Sequence, residues 1–309
     1  MSVLAVGTVA FDQIETPFGK RDKALGGSAM YITMAARFMC DDVRLVAVVG
    51  NDFPPEYREV MASRQINLAG LEVQEDGLTF AWGGRYHYDL NNRDTVYTDL
   101  NVLATFDPVL PAEYRDANVL CLGNLDPGVQ DSVLNQVVDP SIVICDTMNY
   151  WIEQTPEKLK HILSRVDCLV VNDSEARELS DSSNLVVAAK KIREMGPEIV
   201  VIKKGEHGAL LFANESVFMV PAYPLEDIQD PTGAGDAFMG GFAGFLSGCK
   251  DIDLDSLKHA LVHGSAVASF TVEQFGPEGL YDLSRLEIEK RIDAFRDLTT
   301  IPVSAVTPF

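Results

Sequence analysis

Six short runs of nearly continuous apolar residues limit the architecture of this chain more than any other feature: Val3 to Val9, Leu45 to Val49, Asn118 to Leu122, Ile142 to Cys145, Cys168 to Val171 and Ile199 to Ile202. A strand with one wet face alternates apolar and polar side chains. A strand that is apolar at successive positions must be covered on both faces. Between the runs lie segments with helical spacing, Ser28 to Met39, Pro55 to Gln65, Val129 to Val137, Pro156 to Arg165 and Asn184 to Met195, the last stopped by Gly196-Pro197. This alternation predicts an α/β fold: a three-layer α/β/α sandwich around a mostly parallel central sheet, in a single domain over residues 1–309.

One stretch departs from the rhythm. Leu78 to Val102 carries Trp82, Gly83, Gly84, Tyr86, Tyr88 and Tyr97 with alternating polarity and a polar Asn91-Asn92 centre, which predicts antiparallel strands exposed on one face. The polar segment Gln13 to Leu25 is expected to join it, so that residues 13–25 and 78–102 form a small β-sheet lid. An edge hairpin of the main sheet fits the same pattern equally well. A homodimer built through such a lid is a further arrangement open to it.

Charge removes one class of partner. Lys and Arg total 25 against 46 Asp and Glu, a formal net charge of −21, and no basic cluster offers a footprint for nucleic acid. No apolar run reaches the roughly 18 residues of a membrane span, and the N-terminus lacks the basic start of a secretory signal; both point to a cytoplasmic protein without membrane contact. The five cysteines include no CxxC pair, and His259 and His263, although four residues apart, have no HExxH context, so neither a disulfide framework nor a zinc site is expected.

The chemistry concentrates in Asp230-Pro231-Thr232-Gly233-Ala234-Gly235-Asp236. Pro231 prevents helix from arriving upstream, the glycines clear the approach, and a small-residue helix over Ala237 to Ser247 follows. The free N–H groups of Gly233, Ala234 and Gly235 and the positive end of the helix dipole would hold phosphoryl oxygens. Asp236, in the first turn, is expected to be ionised by that dipole and to act as a general base toward an alcohol. No GxxxxGK[ST] is present, which excludes a P-loop, and GAGDAF lacks the third glycine of a dinucleotide fingerprint.

The string resembles the C-terminal signature of the ribokinase-like (PfkB) carbohydrate kinases, and the order of other landmarks extends the resemblance over nearly the whole chain. Gly7 and Asp12 are similar to that family's sugar-binding start, Asp12 being placed to accept hydrogen bonds from substrate hydroxyls. Gly26-Gly27-Ser28-Ala29-Met30-Tyr31 resembles its Gly-Gly motif, which lines the substrate pocket. Asn172-Asp173-Ser174-Glu175 is similar to its Asn-x-x-Glu motif, which implies Mg²⁺ near Glu175 through water; the same pattern also reads as a helix capping box. Lys203, Lys204, Gly205 and Gly208 occupy the position of its nucleotide-contacting turn, and His263 stands where many members have Asn near adenine. Asp230 and Thr232 are candidates for a monovalent cation such as K⁺. Tyr31 replaces the family's usual Asn, which implies an altered acceptor pocket.

The resemblance implies an ATP-dependent phosphotransferase acting on a hydroxymethyl group of a sugar or sugar-like alcohol. A nucleoside acceptor, with Tyr31, Trp82 or Tyr86 stacked on the base, is the alternative. A non-catalytic sugar or nucleotide sensor is the alternative from a different class.

Overall fold

A computed structural model describes residues 1–301. In chain order the strands are β1 (Ser2–Val6), β2 (Ala10–Thr16), β3 (Gly19–Gly26), β4 (Asp42–Gly50), β5 (Ile66–Gln74), β6 (Ala81–Tyr86), β7 (Arg93–Asp99), β8 (Val119–Leu122), β9 (Ile142–Asp146), β10 (Cys168–Asn172), β11 (Ile199–Lys203), β12 (Ala209–Ala213) and β13 (Ser216–Val220). Nine of them form one sheet in the order β13-β12-β11-β10-β9-β8-β1-β4-β5. Neighbours from β11 through to β5 run parallel, and β12 and β13 close one edge as an antiparallel pair.

The continuous apolarity of the runs has a direct cause in the two cores. Val3, Ala5, Val119, Cys121, Ile142, Ile144, Cys168 and Val170 pack into the core shared with helices Ser28–Ala36, Ala234–Ser247 and Leu254–Thr271. Their neighbours Leu4, Val6, Leu120, Leu122, Val143, Cys145, Leu169 and Val171 pack into the opposite core, under helices Pro127–Leu134, Pro156–Leu163 and Leu185–Arg193. Successive side chains point to opposite faces, so burial on both sides demands an apolar residue at each position.

The first of these cores is unusually close-packed. A Cβ on Gly240 would lie 2.3 Å from the Ile32 carbonyl, and one on Gly264 would lie 2.7 Å from the Phe238 carbonyl. The small residues read from the sequence therefore let the helix that begins at the glycine string approach both its neighbours.

The lid is a separate four-stranded sheet, β3-β2-β6-β7, not an edge hairpin of the main one. It starts at Ala10, three residues before the expected boundary; β6 and β7 pair antiparallel as expected for 78–102, and the junction of its halves, β2 against β6, is parallel. Strand β5 and the short helices Asn149–Gln154 and Glu278–Tyr281 were not anticipated, whereas the capping-box pattern at Asn172 does open a helix, Asp173–Ser180. The sequence from Thr299 to Phe309 reads as an irregular tail; helix Arg285–Thr299 takes in its first residue, and residues from 302 onward lie outside the described residues. Among the described residues no helix is long and apolar enough to cross a membrane, and the five cysteines are free.

Candidate active site

From β1 the chain proceeds toward β4 and β5 on one side, then returns to β8 and continues to β11 on the other. The strand order thus reverses between β1 and β8, and the crevice beyond the carboxyl ends of strands at such a point is where open α/β sheets bind ligands. Here it opens into a cleft of about 2540 Å³ roofed by the lid.

One side of the cleft is built by a clasp at the end of β1. The Thr8 amide donates to the Ser28 hydroxyl at 3.1 Å and the Ser28 amide to the Thr8 hydroxyl at 2.9 Å, which fixes the Gly-Gly turn onto the sheet. Gly27 has φ of 98°, and a Cβ there would meet the Thr8 carbonyl at 2.4 Å. Asp12 comes from lid strand β2, not from the end of the first strand, and its carboxylate lies directly over Gly26, where a Cβ would be 1.9 Å away. Burial, then Asp230 and Asp236, push the Asp12 carboxyl up to about 7, against the opposing pull of the Gly27 amide.

That shift has a consequence for stability. An acid whose pKa is higher in the folded than in the unfolded chain holds its proton better when folded, so stability falls as pH rises from the ordinary carboxylate range to about 7. Asp12→Asn should therefore raise the melting temperature of the ligand-free protein at pH 8 and leave it nearly unchanged at pH 4; equal shifts at both pH values would contradict the burial argument.

The other side forms around the glycine string. Helix Ala234–Ser247 starts at Gly233, whose φ is 76° and whose Cβ, if present, would lie 2.3 Å from the Tyr31 ring. No side chain caps this helix. The Ala234 amide is spent on the Pro231 carbonyl at 3.2 Å, whereas the amides of Gly233, Gly235 and Asp236 donate to no acceptor among the described residues. The expected anion hole of Gly233, Ala234 and Gly235 thus differs by one amide from the set left unpaired, in which Asp236 N–H stands in place of Ala234 N–H.

The Asp236 carboxylate is half-buried and lines the cleft. Its expected ionisation by the helix dipole is corrected by the structure: burial and the nearby Asp146 push its pKa up to about 7, although Lys203 and Arg93 pull it down. A dipole at a helix start acts with about half a charge, and desolvation of a whole carboxylate outweighs it.

Lys203 ends β11 beside these amides: a Cβ on Gly235 would sit 2.8 Å from its Nζ. Its ammonium is 3.6 Å from Asp146 at the end of β9. Burial opposes its charge, but Asp146, Glu175 and Asp236 together hold it protonated above the usual lysine range. Asn172 and Glu175 form the capping box of helix Asp173–Ser180, with the Glu175 carboxylate accepting from the Asn172 amide at 2.8 Å and the Asn172 side chain accepting from the Glu175 amide at 2.8 Å. The same carboxylate lines the cleft, and burial plus Asp146 push its pKa up. The capping-box reading of the motif therefore holds, and the capping carboxylate also faces the cleft. Gly205 and Gly208 bracket the turn after β11, both with positive φ, and line the cleft with Lys204.

Two contacts latch the lid to the loop that carries the glycine string. The Thr232 hydroxyl donates to Tyr86 Oη at 3.1 Å, and the Thr16 hydroxyl donates to the Gln229 carbonyl at 3.0 Å. Asp230 is fully buried and accepts from the amides of Thr232 at 2.8 Å and Gly276 at 2.9 Å, bracing the loop from behind. His263 is not brought to the cleft. It packs on Phe245 with ring centroids 4.2 Å apart and shares Nδ1 with the His259 carbonyl at 2.7 Å; Ser265, Ala268 and Ser269 of the same helix line the cleft in its place.

Sequence reading missed Asp146 and Arg93 in the cleft and read Tyr86 for another role. Asp146 follows an apolar strand as Asn172 does, and that position was the available signal. Tyr86 was considered only for stacking, but it is buried and engaged by Thr232. Arg93 carries no local signal.

With this geometry in place, comparisons with known proteins gain their meaning. The family described as pfkB family carbohydrate kinase matches residues 4–281. The cytidine kinase of Thermococcus kodakarensis is 30% identical over 272 residues, spanning 84% of this chain and 96% of that protein. A nucleoside kinase of Methanothermobacter thermautotrophicus is 29% identical, over 89% of this chain and 91% of that protein. Among solved structures, the Burkholderia thailandensis nucleoside kinase in complex with ADP-inosine superposes with a TM-score of 0.78 at 20% identity, covering 94% of this chain and 95% of that one, which bears on the fold. The clasp, the helix-start nest and the acid beside it thus occur within a matching family pattern over most of the sequence, and the chain belongs to the pfkB family of carbohydrate kinases.

Proposed function

We propose that this phosphotransferase moves the terminal phosphoryl group of ATP to a hydroxymethyl group of a nucleoside, with Asp236 as general base and the amides of Gly233, Gly235 and Asp236 as the anion hole. The observation that carries the reading is the placement of a cleft-facing carboxylate beside unpaired helix-start amides that lie beneath the Lys203 ammonium. Phosphoryl transfer needs little covalent chemistry from the protein. It needs alignment of the hydroxyl, a group to take its proton, and donors where charge accumulates.

Asp12 and the Gly26-Gly27-Ser28 turn hold the acceptor, and the turn after β11 holds the nucleotide. Mg²⁺ fits beside Glu175, where one carboxylate oxygen is occupied by the Asn172 amide and the other accepts no hydrogen bond among the described residues. When bound, the ion offsets phosphate charge, and it needs few protein ligands because it keeps waters and phosphate oxygens. A monovalent cation, K⁺, belongs beside Asp230 and Thr232, since the buried Asp230 carboxylate accepts two amide bonds for its roughly four lone-pair sites.

The nucleoside acceptor is supported by the relatives named cytidine kinase and nucleoside kinase. Of the three stacking candidates, Trp82 is the one left partly open to the cleft, because Tyr31 and Tyr86 are buried. A panel of nucleosides and free sugars with MgATP, followed by ADP release, tests this. One nucleoside should exceed every free sugar by about 10²-fold in kcat/KM. A sugar at the head of the panel would displace the nucleoside and keep the kinase chemistry, whereas binding without turnover would favour a sensor.

Tyr31 supplies a second test. Its hydroxyl is buried, lacks a hydrogen-bond partner, and belongs to a side chain that lines the cleft beside Asp12 and Asp236. An unpaired buried hydroxyl costs roughly 1–3 kcal/mol, a cost the acceptor removes if it bonds there. Tyr31→Phe should stabilise the ligand-free protein by about 1 kcal/mol in urea and raise the acceptor KM about fivefold. An unchanged KM would assign the hydroxyl no part in binding.

A further inference from the structure

Strands β6 and β7 place one arginine where the lid meets the catalytic loop. Tyr86, held by Thr232 four residues before Asp236, ends β6, and its direct partner across the β6/β7 ladder is Arg93. The hairpin between them reaches over the cleft to the nucleotide turn: a Cβ on Gly205 would lie 2.2 Å from Asn91 Oδ1, and Asn91 Nδ2 is 3.5 Å from Glu206 Oε1. This hairpin therefore spans from the catalytic loop to the loop after β11, and Arg93 stands at its base.

The guanidinium is unspent. Arg93 lines the cleft with its Cζ 5.7 Å from the centroid of the Trp82 ring, and among the described residues it makes neither a salt bridge nor a side-chain hydrogen bond. Its lid neighbour Arg85, by contrast, is paired with Glu15 at 3.0 Å. The charge of Arg93 is felt by Asp236 and by Glu175, which come from two different helices on the floor of the cleft. The floor's buried cation, Lys203, already faces three carboxylates, Asp146, Glu175 and Asp236. A triphosphate entering this acidic cleft thus meets the committed cation Lys203, Lys204 at the turn after β11, and the unpaired guanidinium of Arg93 on the lid.

We propose that Arg93 is a catalytic residue delivered by the lid, whose guanidinium binds the oxygens of the phosphoryl group in transit. The proposal rests on the kinase reading above and adds a residue to it. In the step, the acceptor oxygen forms a bond to the terminal phosphorus, the bond from that phosphorus to the bridging oxygen breaks, ADP leaves, and the hydroxyl proton passes to Asp236. Arg93 exchanges no proton. It neutralises charge on the equatorial oxygens, and its planar fork suits two of them at once. Because Tyr86 and Asn91 seat the same hairpin, this charge reaches the phosphoryl group when the lid is down.

The test measures affinity for ADP with Mg²⁺, with and without aluminium fluoride, by calorimetry, and turnover with the best nucleoside of the panel. In the wild type, aluminium fluoride should tighten ADP binding at least about tenfold, since it mimics the planar transferring group. Arg93→Met should abolish that gain, leave affinity for ADP alone within about threefold, and lower kcat about 10²-fold or more with little change in acceptor KM. Arg93→Lys should recover part of kcat, and Arg85→Met should leave all values unchanged. An Arg93→Met protein that keeps the fluoride gain, or that loses ADP binding as well, would overturn the assignment. Asp236→Asn separates the two claims: it should keep the fluoride gain while losing turnover, so full turnover in that variant would indict the base and not Arg93.

Discussion

Asp236→Asn should lower kcat by about 10²-fold or more while leaving nucleotide affinity within a few-fold of wild type. The substitution is nearly isosteric, so the nest and the packing of helix Ala234–Ser247 are retained and only the ability to take a proton is lost. The pH profile carries the same claim in a second form. Burial and Asp146 push the carboxyl up to about 7, and the ionised form is the working one, so kcat/KM should rise with pH through about 7. The sign for stability is opposite: the folded state favours the protonated acid, so the wild type loses stability as pH rises toward 7, and Asp236→Asn should melt higher than wild type at pH 8. A variant that melts higher and turns over slowly is folded, and its deficit is chemical.

Lys203→Met should be the other large effect, and it should appear in three measurements. The ammonium lies over Gly235 and 3.6 Å from Asp146, so its removal takes a positive charge from the phosphate nest and leaves a buried carboxylate without its partner. Loss of the charge should lower kcat/KM for ATP by about 10²-fold. Loss of the partner should cost on the order of 3 kcal/mol in urea unfolding near neutral pH, less at acid pH where Asp146 takes up a proton. Lys203 also pulls down the pKa of Asp236, so without it the acid limb of the rate profile should move to higher pH. A limb that stays in place, in a variant that still binds ATP, would show that Lys203 and Asp236 do not share a field.

How much of this was legible in the sequence follows from which signals are local. The parallel sheet was legible because burial on both faces leaves a mark at successive residues, as in Leu169 and Val170, whose side chains enter opposite cores. Strand β5 was not, because an edge strand is half exposed and carries Asn67, Glu72 and Gln74 among its apolar residues. The glycine string was legible because it combines a helix stop, backbone freedom and an acid within seven residues. The raised pKa of that acid was not, because it comes from burial in the folded cleft and then from Asp146, which lies 90 residues upstream and meets it only through the sheet order. Asp12 was found as a ligand candidate but assigned to the end of the first strand, whereas a turn at Gly7 to Val9 sends it into the lid. His263 illustrates the limit of positional analogy: one helical residue faces Phe245, and those two, five and six positions on face the cleft. Arg93 was illegible because its importance comes from the cross-strand partner it was dealt, Tyr86, and not from its neighbours in sequence.

Phosphorus NMR of the material formed from ATP, Mg²⁺ and the preferred acceptor tests the central claim most directly. Transfer to a hydroxymethyl group under the control of Asp236 predicts ADP together with a phosphate monoester whose resonance is split into a triplet by two carbon-bound protons. Inorganic phosphate as the sole new product, or an ester on a secondary hydroxyl, would contradict it.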